Sequence, residues 1–183
     1  AVLPAMRRER DGTIVNVSSV AGRVSFPGGG VYSGSKFAVE AMSDALRNEV
    51  AEHGIDVVVI EPGPVKTNFS KRAQAEAGVG SDEDEGDGAD AGGSGASNGD
   101  GADRSGAYEE FYELFEDAKL VGGGGPGAVE PELVAGAIYD AASATRPPAR
   151  VQPGTAARVG VLARFLPDAV LDRGYEFVRK FTS

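Results

Sequence analysis

The chain of 183 residues contains no cysteine and only one histidine, His53. The missing thiols exclude disulfide bonds, thiolate catalysis and cysteine-ligated zinc sites. A single histidine also excludes a histidine-rich metal cluster, so we expect no metal site. No run of apolar residues approaches the roughly 18 that mark a membrane-spanning helix, and no such helix is predicted.

Basic residues are scarce relative to acidic ones. Lys and Arg number 18 against 28 Asp and Glu, which gives a formal net charge of −10. Such a surface repels the phosphates of nucleic acids and anionic lipids, so we expect neither nucleic acid nor a membrane as partner. The acidity and the lack of cysteine fit a cytoplasmic protein from a high-salt cell. Equally, one acidic insertion could dominate the total charge.

The composition changes abruptly at residue 74, where a low-complexity stretch of Gly, Asp and Ser begins. Residues 74–107 have almost nothing to bury, so they are predicted to form a disordered, solvated insertion. An acidic metal-binding loop is the alternative, but the carboxylates lack the ligand spacing of a calcium-binding loop. The chain is therefore divided into residues 1–73, this insertion and residues 108–183, with the outer two parts belonging to one domain.

Two β-branched runs, Gly12–Ser19 and Ile55–Ile60, flank a segment with helical periodicity. In residues 31–53 the apolar positions recur at spacings of three and four, at Val39, Met42, Leu46 and Val50. Gly54 follows where a left-handed cap is favourable. Strand, helix and strand form a βαβ unit, which predicts an α/β protein with neighbouring parallel strands that are buried on both faces.

The second half of the chain carries shorter patterns. An amphipathic helix with an aromatic face is predicted over Tyr108–Leu120, and another helix begins at Glu130, where Pro131 fits the first turn. Ala149–Gln152 predicts a short edge strand. Residues 156–181 predict two short helices that are separated by a break around Pro167.

Tyr32 and Lys36 lie four residues apart near the start of the predicted long helix, so their side chains share one face. A phenol ordinarily loses its proton near pH 10, which is too high for a good base at neutral pH. A neighbouring ammonium stabilises the phenolate, so this pair predicts a tyrosine that can give or take a proton. Taken alone the pattern is weak, because most chance matches are solvated helix faces.

Two further features point to the same edge of the predicted sheet, where open parallel sheets bind ligands. Ser19 ends the first strand, and its hydroxyl can hold a carbonyl oxygen beside the phenol. The turn Pro62–Thr67 leaves the second strand, and Gly63 would let a flat ring approach closely. The alternatives are a helix-cap or turn role for Ser19 and a simple strand-terminating turn for Pro62–Thr67.

Together these motifs resemble the short-chain dehydrogenase/reductase family. Ile14–Ser19 resembles the strand that carries the active-site serine of that family, and Tyr32–Lys36 resembles its Tyr-x-x-x-Lys signature. Pro62-Gly63-x-Val65-x-Thr67 resembles its cofactor-contacting turn. The resemblance implies the C-terminal part of the compact, single-domain branch: a partial Rossmann-type doubly wound parallel sheet without the first βαβ units.

The resemblance also implies roles for individual residues. Tyr32 would be the general acid and base, Ser19 would orient and polarise the reacting oxygen, and Lys36 would stabilise the phenolate and hold the nicotinamide ribose. The cofactor-binding residues would be Tyr32, Lys36, Pro62, Gly63, Val65 and Thr67. The implied activity is hydride transfer between NAD or NADP and a small-molecule alcohol or carbonyl compound.

Two alternatives stay open beside this activity. The extended branch of the family, which epimerises or dehydrates nucleotide sugars, shares Tyr-x-x-x-Lys, although the Pro62–Thr67 turn resembles the compact branch. A degenerate, non-catalytic module is the other alternative, although the intact Ser19, Tyr32 and Lys36 argue against long decay. By resemblance, the full-length protein is expected to form homo-oligomers.

We expect no measurable hydride transfer from this chain alone. In the family a glycine-rich phosphate-binding turn and a catalytic asparagine precede the position of Gly12, and neither is present; Asn16 lies inside a strand and is not assigned that role. Without them the pyrophosphate and adenosine have no binding site. A nicotinamide absorbance assay with the Tyr32→Phe chain as blank checks this, and activity above the blank would contradict it.

Overall fold

The computed structural model describes residues 1–67 and 127–182, except for the side chains of residues 178–182. The predicted insertion 74–107 and the predicted helix Tyr108–Leu120 lie outside the described residues and stay predictions. The described parts form a small parallel sheet with helices on both faces.

The helices and strands alternate along the chain. The first half contains helix α1 (Leu3–Glu9), strand β1 (Gly12–Val17), helix α2 (Gly30–Val50) and strand β2 (Ile55–Ile60). The second half contains helix α3 (Pro131–Ser143), strand β3 (Arg150–Val151), helix α4 (Thr155–Ala163) and helix α5 (Asp168–Thr182). Single 3₁₀ turns follow β1 and α2, at Val20–Gly22 and Ala51–His53.

The three strands are parallel and lie in the order β1-β2-β3. Gly12 of β1 is paired with Ile55 of β2, and the register continues without a break to the last residue of each strand. The predicted βαβ unit is thus confirmed, and so is the short strand predicted around Arg150, which pairs with the open side of β2. Because the strands run in the same direction, their carboxyl ends meet at one edge.

Two apolar clusters lie on opposite faces of β2, as a doubly wound sheet requires. Ile55 and Val57 pack with Val50 of α2, whereas Val58 and Ile60 pack with Ala141 of α3. Strand β2 is therefore almost entirely buried, as predicted. The prediction that β1 is buried on both faces is wrong, since this strand is only half-buried. Within the described residues it pairs with β2 along one side alone.

Helix α2 turns a more polar face inward than its apolar periodicity predicts. Leu46 and Val50 do pack into the core, but the Met42 side chain is 63% exposed. The inward positions nearer the start of the helix are held by Ser33, Glu40 and Ser43. These side chains need polar partners, and Asn16 Nδ2 of β1 donates to Ser43 Oγ at 2.9 Å.

The predicted helix boundaries in the second half agree with the structure. Helix α3 begins at Pro131, and α4 and α5 are separated by the residues around Pro167. Gly54 caps the 3₁₀ turn after α2 in the left-handed conformation, with φ +69°, as predicted.

Gly54→Ala should lower the free energy of unfolding by about 1–2 kcal/mol or more. The left-handed conformation alone costs this much for an L-residue, and an added Cβ would lie 2.4 Å from the Arg10 carbonyl oxygen. Gly136→Ala on α3, where a Cβ meets no atom within 4 Å, is the matched control. That change should raise stability by up to about 1 kcal/mol, since alanine is the better helix former. Urea denaturation measures both, and equal effects would contradict the assignment.

Candidate active site

A cavity of about 670 Å³ lies where the carboxyl ends of β1 and β2 meet. Its walls include every residue that the sequence analysis assigned to the site: Ser19, Tyr32, Lys36, Pro62, Gly63, Val65 and Thr67. This is the edge at which open parallel sheets bind ligands. The structure therefore brings together three segments that are distant in sequence.

Ser19 occupies the corner between β1 and the following 3₁₀ turn. Its backbone is extended, and its Oγ accepts a hydrogen bond from the Ala21 backbone N–H at 3.1 Å. The residue thus has the cap role that was considered as an alternative, and it also lines the cavity. Since the cap bond uses an oxygen lone pair, the hydroxyl hydrogen can still be donated to a ligand.

Tyr32 and Lys36 lie on the first two turns of α2 and face the cavity together. The Lys36 Nζ is 5.7 Å from the centroid of the Tyr32 ring, which is within the range of a cation–π contact. Nζ also donates a hydrogen bond to the carbonyl oxygen of Val17 at 3.1 Å. Lys36 therefore links the active face of α2 to the last residue of β1.

The electrostatics of the cavity are dominated by one positive charge. Among the described residues that line it, Lys36 is the sole charged side chain. Much of the remaining wall is apolar, with Val24 and Phe26 after β1 and Val134 and Ile138 on α3. The cavity thus combines one ammonium group with a largely apolar lining.

The Pro62–Thr67 turn is joined by backbone hydrogen bonds to the loop that carries Ser19. Val20 N–H donates to the Pro62 carbonyl oxygen at 2.9 Å, and Ser18 N–H donates to the Ile60 carbonyl oxygen at 2.8 Å. Gly63 also lies close to α4, since a Cβ on this residue would be 3.1 Å from the Ala157 backbone nitrogen. Its predicted role in the approach of a flat ring stays a prediction.

These side chains fit the nicotinamide–ribose end of a dinucleotide. The Lys36 ammonium retains N–H groups beyond its bond to Val17, and the exposed Thr67 offers a hydroxyl at the cavity wall.

In the described part of the chain, no group of three His, Asp or Glu side chains is arranged to hold a metal ion. None of the described helices combines the length and the apolar character needed to span a membrane.

The sequence analysis missed a group of buried charged side chains next to the cavity. Glu61, which is fully buried, directly precedes Pro62, and its carboxylate meets Arg23 at 3.2 Å and Arg150 at 3.4 Å. Burial raises the pKa of Glu61, although a hydrogen bond from Gln152 acts in the opposite direction. One signal was present in the sequence: Glu61 directly follows the apolar run Val57–Ile60.

A known protein family matches the segment that carries Ser19, Tyr32 and Lys36. Residues 1–78 match the sequence model of a family described as short chain dehydrogenase. An uncharacterized oxidoreductase of Escherichia coli K12 is 54% identical over 69 residues, which are 38% of this chain and 26% of that protein. The bovine dehydrogenase/reductase SDR family member 7B is 48% identical over 73 residues, 40% of this chain and 22% of that protein. The chain spans about a quarter of the length of these relatives.

Two solved structures extend the similarity to the second half of the chain. A short-chain dehydrogenase from Streptomyces avermitilis has a TM-score of 0.61 and 30% identity, covering 99% of this chain and 56% of that one. A short chain dehydrogenase from Burkholderia cenocepacia, solved in complex with NADP, has a TM-score of 0.59 and 19% identity. That second match covers 96% of this chain and 51% of the other, and it supports the fold alone.

Proposed function

We propose that this chain is part of a short-chain dehydrogenase/reductase, and that the full-length protein is an NAD- or NADP-dependent oxidoreductase that interconverts an alcohol and its carbonyl compound. One observation carries the proposal: Ser19, Tyr32 and Lys36 line a single cavity at the carboxyl ends of two parallel strands. The related oxidoreductases support it.

The nicotinamide end of the cofactor is assigned to the wall formed by Pro62, Gly63, Val65 and Thr67, beside Lys36. A nicotinamide dinucleotide bound there would supply or accept the hydride. Lys36 Nζ is held by the Val17 carbonyl oxygen at 3.1 Å, so its remaining N–H groups have a fixed position from which to donate to ribose hydroxyls. Both NAD and NADP are compatible with these contacts.

Tyr32 is assigned the proton transfer. In carbonyl reduction its hydroxyl gives a proton to the substrate oxygen, and in alcohol oxidation the phenolate takes the proton. The Lys36 ammonium lies 5.7 Å from the centroid of the Tyr32 ring, on the wall of the same cavity.

Ser19 is assigned the orientation of the reacting oxygen. The hydrogen bond from Ala21 N–H to Oγ restrains the hydroxyl, which can then donate to the substrate oxygen. A donor that is already in position loses little freedom when the substrate oxygen acquires negative charge. The same contact keeps that oxygen near Tyr32, where a small error in position would slow proton transfer.

Tyr32→Phe in the full-length protein should lower kcat by about 10²–10⁴-fold, the usual contribution of general acid–base catalysis. The change removes only the hydroxyl, so the fold should persist, and the other proposed cofactor contacts, from Lys36 and the Pro62–Thr67 turn, should retain most of the cofactor affinity. Nicotinamide absorbance measures the rate, and cofactor fluorescence measures binding.

Tyr139→Phe is the matched control, because Tyr139 lies on α3 with 72% exposure and is not among the residues that line the cavity. Its kcat should equal that of the unaltered protein. If both variants keep full activity, Tyr32 is not the acid and base, and the proposed mechanism is wrong.

A further inference from the structure

Two buried carboxylates, Glu40 and Glu61, and two partly exposed guanidiniums, Arg23 and Arg150, form an ion cluster beside the cavity, named here the buried ion cluster for its carboxylates. Arg150 Nη2 also lies 2.6 Å from Oδ1 of the partly exposed Asp44 on α2. Arg150 Nε lies 3.2 Å from Glu40 Oε2 and 3.4 Å from Glu61 Oε1. Arg23 Nε lies 3.2 Å from Glu61 Oε1, and its Nη1 is 3.9 Å from Glu40 Oε2. Each guanidinium thus contacts both carboxylates.

Every member of the cluster comes from a different element. Arg23 lies in the loop that begins with Ser19, Glu40 lies on the helix of Tyr32 and Lys36, and Glu61 directly precedes the cofactor turn. Arg150 belongs to β3 and lies between the other three. The cluster therefore joins all three segments that supply the proposed catalytic and cofactor-binding residues.

The loop of Arg23 is packed against α2 with no spare room. A Cβ on Gly22 would lie 3.0 Å from the Lys36 carbonyl oxygen and 3.1 Å from Glu40 Cγ. The backbone of Gly22, next to Arg23, therefore lies close against α2 at Lys36 and Glu40.

Stability alone does not account for the cluster. The exposed fraction is 0% for Glu61 and 4% for Glu40, and within the described residues one carboxylate oxygen of each lacks a hydrogen-bond donor. Buried ion pairs of this kind can often be replaced by apolar side chains without loss of stability. Burial also raises the pKa of Glu61, so its charged form is disfavoured by its surroundings.

We propose that the buried ion cluster of Arg23, Glu40, Glu61 and Arg150 is a positioning device, which sets the distance between Tyr32 on α2 and the nicotinamide ring against the Pro62–Gly63 turn. This inference rests on the proposed oxidoreductase function. The four residues act through the segments that they join and do not contact the substrate.

Glu61→Gln in the full-length protein tests the proposal. The amide keeps the shape of the side chain, while Glu40 remains as a counterion for both arginines. The expected result is a kcat about 10–100-fold lower, because a displacement of about 1 Å in the reacting groups can slow a reaction 100-fold. A primary deuterium isotope effect on kcat, measured with cofactor labelled at the transferred hydrogen, should rise as hydride transfer becomes slower.

Asp56→Asn is the matched control, since Asp56 lies exposed on the same strand and undergoes the same chemical change. Its kcat and isotope effect should equal those of the unaltered protein. If Glu61→Gln also leaves both unchanged, the cluster does not position the site. A lower rate that is matched by an equal loss of cofactor-binding sites, counted by fluorescence titration, indicates fewer folded molecules, which likewise overturns the proposal.

A second pair of variants decides the question if Glu61→Gln does not fold. Arg23 is partly exposed, so Arg23→Lys and Arg23→Gln disturb the core less. The lysine variant keeps the charge and should retain several-fold more activity than the glutamine variant, and equal activity would overturn the proposal. Lack of hydride transfer by the unaltered protein with either nicotinamide cofactor would instead refute the proposed function, independently of any variant.

Discussion

The hydrogen bond from Lys36 Nζ to the Val17 carbonyl oxygen is the constraint on which the proposed site depends. It keeps a positive charge at the end of β1 while the Tyr32 ring lies 5.7 Å away on the same helix. For this to happen, the first turns of α2 must lie over the edge where β1 and β2 end. The parallel register of the two strands brings Ser19 and the Pro62–Thr67 turn to that edge as well.

Placing the start of α2 there has a consequence for the interior. An apolar helix face would pack easily on the sheet, but the inward side chains at this end are Ser33, Glu40 and Ser43. Glu40 and Ser43 have partners on neighbouring elements, Arg150 of β3 and Asn16 of β1, whereas Ser33 Oγ has no hydrogen-bond partner within the described residues. The fold near the cavity is thus held by directional polar contacts, whereas Val50 and Val57 at the other end of the unit make an ordinary apolar core.

Local and periodic signals predicted most of the architecture. The β-branched run Ile55–Ile60, the cap at Gly54 and the helix start at Pro131 are each determined by neighbouring residues, and all three predictions are confirmed. The predicted burial of Met42 is wrong, because polar contacts from distant segments decide which face of α2 turns inward. The Glu61–Arg150 contact joins residues far apart in sequence, so no local pattern could reveal it. The catalytic roles of Ser19, Tyr32 and Lys36 stay predictions.

A crystal structure of the full-length protein with its nicotinamide cofactor would test the proposed active site most directly. The nicotinamide ring is expected in the 670 Å³ cavity against Pro62 and Gly63, with the ribose hydroxyls within hydrogen-bonding distance of Lys36 Nζ. Tyr32 and Ser19 would then face the same space beside the ring. A cofactor bound elsewhere, or a Lys36 side chain turned away from both Val17 and Tyr32, would contradict it.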